Sequence, residues 1–326
     1  MKKGNISIFV PHLGCPQQCS FCNQKTITGK EKQPAPDDVK NAVETALKRK
    51  GYEYEIAFFG GSFTAIDREY MISLLKAAYE YVEDGRVKGI RISTRPDFID
   101  EEILGVLKKY GVSSIELGAQ SMDDEVLSAN LRGHTAEDVE KASKLIKEFG
   151  FELGLQMMTG LYKDTNEKAI ETAKKIIALS PKTVRIYPTV VLKNTYLAEL
   201  FEREIYVPQN VDDAAELCVT LLSLFEQAGI KVIRLGLHAS QDIKKNMVAG
   251  AYHEAFGEIV ESRKMLDKIL KYPPDDYEIF VNPKSVSKLK GNQKRNIYFL
   301  IEKGYNIKVT QNDKVAVDEI KIIKTR

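Results

Sequence analysis

The chain has 326 residues, 43% of them hydrophobic and 29% charged, with a formal net charge of +2. That balance is one of a soluble globular protein, and the length allows one large barrel-type domain with an appendage, or two ordinary domains. No apolar stretch is long enough to span a bilayer, the first 14 residues hold too short an apolar run for a signal peptide, and four cysteines are too few for a disulfide scaffold, so the sequence reads as cytoplasmic.

Taken in chain order, strand-like and helix-like patterns alternate with little between them. Strands are predicted at 6–10, 56–59, 89–93, 114–117, 152–157 and 184–187. Helices are predicted at 36–50, 66–82, 100–111, 136–150 and 166–180, where apolar residues recur at three- and four-residue spacing. Asp37, Asp38, Glu101 and Glu102 suit first helical turns, and Gly51, Gly111 and Gly150 suit the positions just past last turns. Six successive βα units imply an α/β fold with a parallel sheet under helices. Right-handed crossovers curl such a sheet toward a barrel, and six units make about three quarters of the eight-unit form. The expected fold is therefore a partial (β/α)6 TIM-type barrel with a lateral opening; an open doubly wound sheet is the alternative.

After Tyr187 the pattern changes. A long helical stretch at 211–229, a strand-like stretch at 231–237 and a mixed segment at 247–266 lead to Pro273-Pro274-Asp275-Asp276, which reads as a boundary. Short strand-like runs around a basic helical stretch at 291–304 then suggest a small α+β unit. The expected division is 1–190, 191–270 and 271–326. Residues 281–326 hold 11 Lys and Arg against 4 Asp and Glu, a surplus of seven on a slightly acidic remainder. Such a tail fits a polyanionic partner or simply a solvated face.

The strongest chemical signal is Cys15-Pro16-Gln17-Gln18-Cys19-Ser20-Phe21-Cys22, a C-x3-C-x2-C triplet in the loop after the first predicted strand. That loop lies at the C-terminal strand end, where barrel enzymes build active sites. Cysteines this close wrap one metal centre more easily than they pair as disulfides. A closed zinc site takes four ligands and an ordinary iron–sulfur cluster takes four cysteines, so three thiolates leave one coordination position open. A zinc knuckle completed by His12 is the competing reading. Cys218, in an apolar helical pattern, reads as a lone buried thiol.

The residues around the triplet resemble the radical S-adenosylmethionine (SAM) superfamily. Phe21 stands in the aromatic position before the third cysteine, and Phe58-Phe59-Gly60-Gly61-Ser62-Phe63 resembles the family's GGE motif with Ser62 in place of Glu. Ser93-Thr94-Arg95-Pro96, Glu116-Leu117-Gly118-Ala119-Gln120-Ser121, Leu131-Arg132-Gly133-His134-Thr135 and Gln156-Met157-Met158-Thr159-Gly160-Leu161 fall at or after successive strand ends. This series resembles the branch holding oxygen-independent coproporphyrinogen oxidase and the catalytic subunit of Elongator. Segments 11–24, 58–66, 186–201 and 249–262 narrow the resemblance to the Elongator type, over residues 5 to 265.

The resemblance implies that Cys15, Cys19 and Cys22 hold a [4Fe–4S] cluster whose fourth iron takes SAM. It implies that the backbone of Gly60, Gly61 and Ser62 meets the SAM amino group, that Ser93, Gln120 and Gln156 contact the ribose or nearby atoms, and that Arg132 pairs with the carboxylate. An external electron donor would then allow reductive cleavage of SAM to a 5′-deoxyadenosyl radical. No catalytic side chain is assigned beyond the cluster ligands. His253 and Tyr252 are read as structural or substrate-pocket residues, His12 and His134 as neighbours of the cluster loop and the arginine, and His238 has no role. The chain departs from the Elongator type in starting at the first barrel strand and in having about 60 residues, too few for an acetyltransferase-like domain, after the Pro-Pro boundary. A separate protein supplying those parts is an implied partner. Three readings stay open: modification of a tRNA base, with Lys284, Lys288, Lys290, Lys294 and Arg295 gripping phosphates; radical chemistry on a small molecule such as a tetrapyrrole; and a non-catalytic iron–sulfur protein.

Overall fold

A computed structural model of the chain describes residues 2–11, 18–23 and 32–325. Seven strands form one all-parallel sheet: β1 (Lys2–Val10), β2 (Tyr52–Gly60), β3 (Ile90–Thr94), β4 (Val112–Gln120), β5 (Glu152–Thr159), β6 (Thr183–Pro188) and, after one short strand and two helices outside the sheet, β8 (Lys231–Leu235). The first six lie side by side in chain order and β8 adds beyond β6. The sheet is a curled half-barrel, with β1 and β8 at its two edges. The expected six-unit partial barrel is present, extended by a seventh strand drawn from the 231–237 pattern.

Helices α1 (Pro36–Leu47), α2 (Arg68–Glu83), α3 (Glu101–Lys109), α4 (Asp124–Ala129), α5 (Ala136–Glu148) and α6 (Asn166–Ala178) connect the strands. Five of these six starts repeat one device. A short polar side chain before the first turn accepts a backbone N–H two or three residues into the helix: Asp67 from Tyr70, Asp100 from Ile103, Asp123 from Val126, Thr135 from Asp138 and Thr165 from Lys168. Each satisfies a donor that the helix cannot.

Alternation along the strands sorts side chains onto two faces. Ile6, Ile8, Val10, Ile56, Phe58, Ile90, Ile92, Ile115, Leu117, Leu155, Met157, Val184 and Ile186 are buried in the main core under the helices. The other face carries Arg91, Ser93, Glu116, Gly118, Gln120, Gln156 and Arg185. Parallel strands covered on both faces read as unbroken apolar runs. These strands do not, because their second face lines a polar concavity.

The rest of the chain packs around this body. The short strands β7 (Val190–Leu192) and β9 (Met247–Gly250) pair antiparallel. Helix α7 (Tyr196–Glu202) follows β7, α8 (Val211–Gln227) precedes β8, and α9 (Gln241–Asn246) leads into β9. Helix α10 (Phe256–Leu270) reaches two cores: Phe256 and Val260 belong to the main one, and Met265, Leu266 and Ile269 to a second. The second core lies under a three-stranded sheet in the order β11-β10-β12, built from β10 (Asp276–Val281), β11 (Asn306–Gln311) and β12 (Ile320–Lys324). The predicted basic helix at 291–304 is present as α12 (Arg295–Glu302), preceded by a short α11 (Val286–Lys290) that ends at Gly291, whose φ is 72°. No helix among the described residues is long and apolar enough to cross a membrane.

Candidate active site at the open ends of the strands

The loop after β1 returns over the strand ends with Cys19 buried and Cys22 half-buried. Cys15 and His12 lie outside the described residues. The Cys22 amide donates to the Cys19 carbonyl at 3.1 Å, closing a tight turn between the two ligand positions. Three features pin this turn. The Ser20 hydroxyl donates to Asn130 Oδ1 at 2.7 Å and the Ser20 amide to the Asn130 carbonyl at 3.1 Å. The Ser20 carbonyl accepts from the Leu197 amide, in the first turn of α7, at 2.8 Å. The Arg132 guanidinium donates through Nη1 to Cys19 Sγ at 3.0 Å and through Nη2 to the Gly118 carbonyl at 2.7 Å. Asn130 is fully buried and spends its own amide protons on the Val126 and Tyr162 carbonyls.

The end of β2 presents backbone. Gly60 has φ 116°, and a Cβ there would stand 2.8 Å from the Val10 carbonyl oxygen. Only glycine fits between the two strand ends. The Gly61 amide donates to that same oxygen at 2.9 Å. Ser62 is buried, with its hydroxyl 2.9 Å from Thr94 Oγ1 and accepting from the Arg95 amide at 3.0 Å. The side chain that replaces the motif's glutamate therefore ties β2 to β3.

Gln120 ends β4 in the left-handed region, φ 66°, at a register shift against β5. Its amide nitrogen and the Arg132 guanidinium share room that a side chain at Gly118 would fill: a Cβ there would meet Gln120 Nε2 at 2.8 Å and Arg132 Nη2 at 3.5 Å. His134 follows Arg132, with Nε2 3.2 Å from the Ala119 carbonyl. Burial, and then the neighbouring Arg132, push its imidazole down to about 4, so it is neutral at pH 7. Three buried polar atoms in this neighbourhood have no protein partner: Gln120 Oε1, Arg132 Nε and His134 Nδ1.

Deeper in the concavity, Glu116 organises the polar face. Its carboxylate accepts from Arg185 Nε at 2.7 Å and Nη2 at 3.0 Å, from Arg91 Nη1 at 3.2 Å and from Gln156 Nε2 at 3.0 Å. Two guanidiniums meet the desolvation demand of a carboxylate that is 1% exposed. Gln156 Nε2 also lies 3.5 Å from the Ser93 hydroxyl, and Arg185 lies over the Phe59 ring at 5.3 Å. The sequence-derived residues thus gather in two layers: Cys19, Gly60, Gly61, Gln120 and Arg132 at the rim, Ser93 and Gln156 one layer below.

These residues fit the cofactor pair that the motifs imply. A thiol at a cationic donor, with a second thiol one tight turn away, suits a metal-bound thiolate, the glycine backbone at the end of β2 lacks a side chain, and unpartnered donors and acceptors suit a ligand carrying both an ammonium and a carboxylate. A radical SAM family model matches residues 9–176, more than half of the chain. The chain belongs to the radical SAM superfamily. A model of the radical SAM C-terminal domain follows at 181–266. The half-barrel, its motif-bearing strand ends and its extension are therefore those of a radical SAM protein, a superfamily of enzymes that use SAM and a [4Fe–4S] cluster.

Relatives sharpen the affiliation. An uncharacterized Methanocaldococcus jannaschii protein is 31% identical over 63% of this chain and 62% of its own length. The tRNA uridine(34) acetyltransferase of the same organism is 30% identical over 50% of this chain and 34% of its own length, and human Elongator complex protein 3 is 30% identical over 55% and 37%. The chain thus spans between about a third and two thirds of the length of these relatives. Among solved structures, the archaeal Methanocaldococcus infernus Elp3 superposes with a TM-score of 0.67 at 22% identity, over 83% of this chain and 64% of that one. Coproporphyrinogen III oxidase from Escherichia coli superposes at 0.51 and 18%, over 70% and 53%. These two likenesses bear on fold.

Other expectations resolve locally. His253 is exposed and its Nδ1 accepts from the Ala255 amide at 3.0 Å, just before α10. Tyr252 accepts from the Ser240 amide at 3.3 Å. Cys218 is buried in α8, and burial alone pushes its thiol well above the usual range, consistent with an inert packing role. The sequence reading assigned no role to Asn130, Glu116, Arg91 or Arg185. An acidic residue inside an otherwise apolar strand is a visible signal for Glu116; nothing in the pattern marks Asn130.

Proposed function

We propose that the protein is a radical SAM enzyme acting on a tRNA base in the cytoplasm, with Cys15, Cys19 and Cys22 as the ligands of a [4Fe–4S] cluster. The observation that carries this reading is the fixed turn of Cys19 and Cys22 with Arg132 on the Cys19 sulfur. Bound there, the cluster and SAM together would supply reductive cleavage of the S–C5′ bond, with the electron coming from an external donor.

The chain's own residues bind and orient. Gly60 and Gly61 offer backbone to the SAM amino group, and Ser62 fixes that backbone by holding Thr94 and Arg95. Gln120 and Arg132 complete the rim, and Ser93 and Gln156 meet the ribose side. Glu116 keeps Gln156 in place from below. The division of labour is residues 1–190 for the radical half-barrel, 191–270 for the extension and 271–326 for a basic appendage.

The tRNA assignment draws on the likeness to tRNA uridine(34) acetyltransferase and on the basic tail. Lys284 and Lys294 are exposed there, whereas Lys288 is paired with Asp318 at 2.7 Å and Arg295 with Asp212 at 3.6 Å. The test is 5′-deoxyadenosine formation by the reduced, reconstituted protein with and without bulk tRNA, over a salt series. Stimulation by tRNA that fades steeply with salt is expected. SAM cleavage that is indifferent to tRNA at every salt concentration would move the substrate to a small molecule.

A further inference from the structure

Arg132 is engaged with Cys19 before any ligand is considered. Its Nη1 donates to the sulfur and its Nη2 to the Gly118 carbonyl. Both arms of the fork are used, and Nε is buried without a protein partner. The side chain is 6% exposed, so the charge sits where solvent screens it little. The backbone that carries it is also fixed. Ser20 donates two hydrogen bonds to Asn130, Leu131 adopts φ 56°, and the Arg132 amide donates to the Leu127 carbonyl at 3.0 Å. A short turn thus holds the cysteine's neighbour by its backbone and the cysteine's sulfur by a guanidinium.

We infer that Arg132 sets the reduction potential of the cluster through this donor to Cys19, as a positioning and tuning residue. The inference rests on the proposed cluster ligation by Cys19. It gives Arg132 a partner in the cysteine turn beside the SAM carboxylate that the family resemblance assigns to it. The physics is direct. Taking up one electron adds negative charge to the cluster and its sulfurs. A fixed cation and hydrogen-bond donor at one sulfur stabilises that reduced state more than the oxidised one. Hydrogen bonds to the sulfurs and net charge are among the factors that set such potentials, and a charge-assisted bond is stronger than a neutral one. Removing the cation must make the cluster harder to reduce. Ser20 acts differently. Its hydroxyl anchors the loop, but two backbone bonds hold the same turn, so its loss should leave the potential in place.

The test is an anaerobic redox titration of the reconstituted protein, read by electron paramagnetic resonance without SAM, with iron content measured beside it. Wild type, Arg132→Gln, Arg132→Lys and Ser20→Ala are compared. Arg132→Gln should lower the reduced-to-oxidised ratio at a fixed potential at least tenfold, about 59 mV for a one-electron couple. Arg132→Lys, which keeps the charge, should fall between it and wild type, and Ser20→Ala should match wild type. A full cluster in Arg132→Gln with an unmoved midpoint overturns this inference alone. If Arg132→Gln takes up no iron, Arg132→Lys decides by the same criterion. If neither variant loads although circular dichroism shows both folded, Arg132 is an assembly requirement and the tuning role fails. A wild-type protein that forms no cluster overturns the ligation reading, and this inference with it.

Discussion

At the scale of single residues, the rim is defined by groups that other parts of the chain hold still. His134 illustrates how much the surroundings decide. Its ring sits at the carbonyl of Ala119, and burial, then the charge of Arg132, pushes it down to about 4. In the unfolded chain it would titrate near 6.5. A group whose folded value is depressed in this way binds its proton more readily when unfolded. Its contribution to stability is therefore present above about pH 6.5 and is lost as pH falls from there toward 4. His134→Gln keeps a donor for the carbonyl and removes the titration. Urea unfolding should show wild type losing roughly 2–3 kcal/mol more than His134→Gln between pH 7 and pH 4, from about 1.4 kcal/mol per unit. Parallel pH profiles would contradict the burial of this ring. The motif spacing made His134 visible as the neighbour of Arg132. Its protonation was not legible, because that depends on residues brought together only by folding.

At the scale of elements, the alternating pattern carried most of the fold. Polar N-caps or glycine stops punctuate the βα units, so the six strands and their helices could be read from local chemistry. Gly150 shows why the stops work. It has φ 82° after α5, and no atom lies within 4 Å of where its Cβ would be. Gly150→Ala should therefore cost about 1–2 kcal/mol of stability through backbone conformation alone, with SAM and iron binding unchanged. A denaturation midpoint equal to wild type would mean that the turn relaxes. Strand 231–235 was visible as a pattern, but its place beyond β6 was not. One short strand and two helices intervene, and pairing across such a gap is decided by the sheet edge left open rather than by local sequence. Helix α10 is similar: its two ends serve different cores, which an amphipathic repeat does not reveal. The left-handed residues Gln293 and Lys294, at φ 50° and 63°, hold back to Arg295 the start of the basic helix predicted from 291.

At the scale of the whole molecule, the half-barrel separates two kinds of surface. Its outer face is apolar and buried by helices. Its inner face is polar, with Glu116 bonded to two arginines and a glutamine below the cysteine turn. The sequence made the rim legible because the rim is contiguous motifs: the cysteine triplet, Gly60-Gly61, Gln120 and Arg132. The layer beneath was not, because Arg91, Glu116 and Arg185 come from three strands and mean nothing singly. The family affiliation follows from the first group, and the stability of the site from the second.

The account's central claim is that the cysteine turn holds a cluster competent to cleave SAM. The most direct measurement is 5′-deoxyadenosine released from SAM by the anaerobically reconstituted, dithionite-reduced protein, with Cys19→Ala treated identically. The account predicts product and about four irons per chain for wild type, and loss of both in Cys19→Ala. A wild-type protein that binds no iron–sulfur cluster, or a Cys19→Ala protein that cleaves SAM as well as wild type, would contradict it.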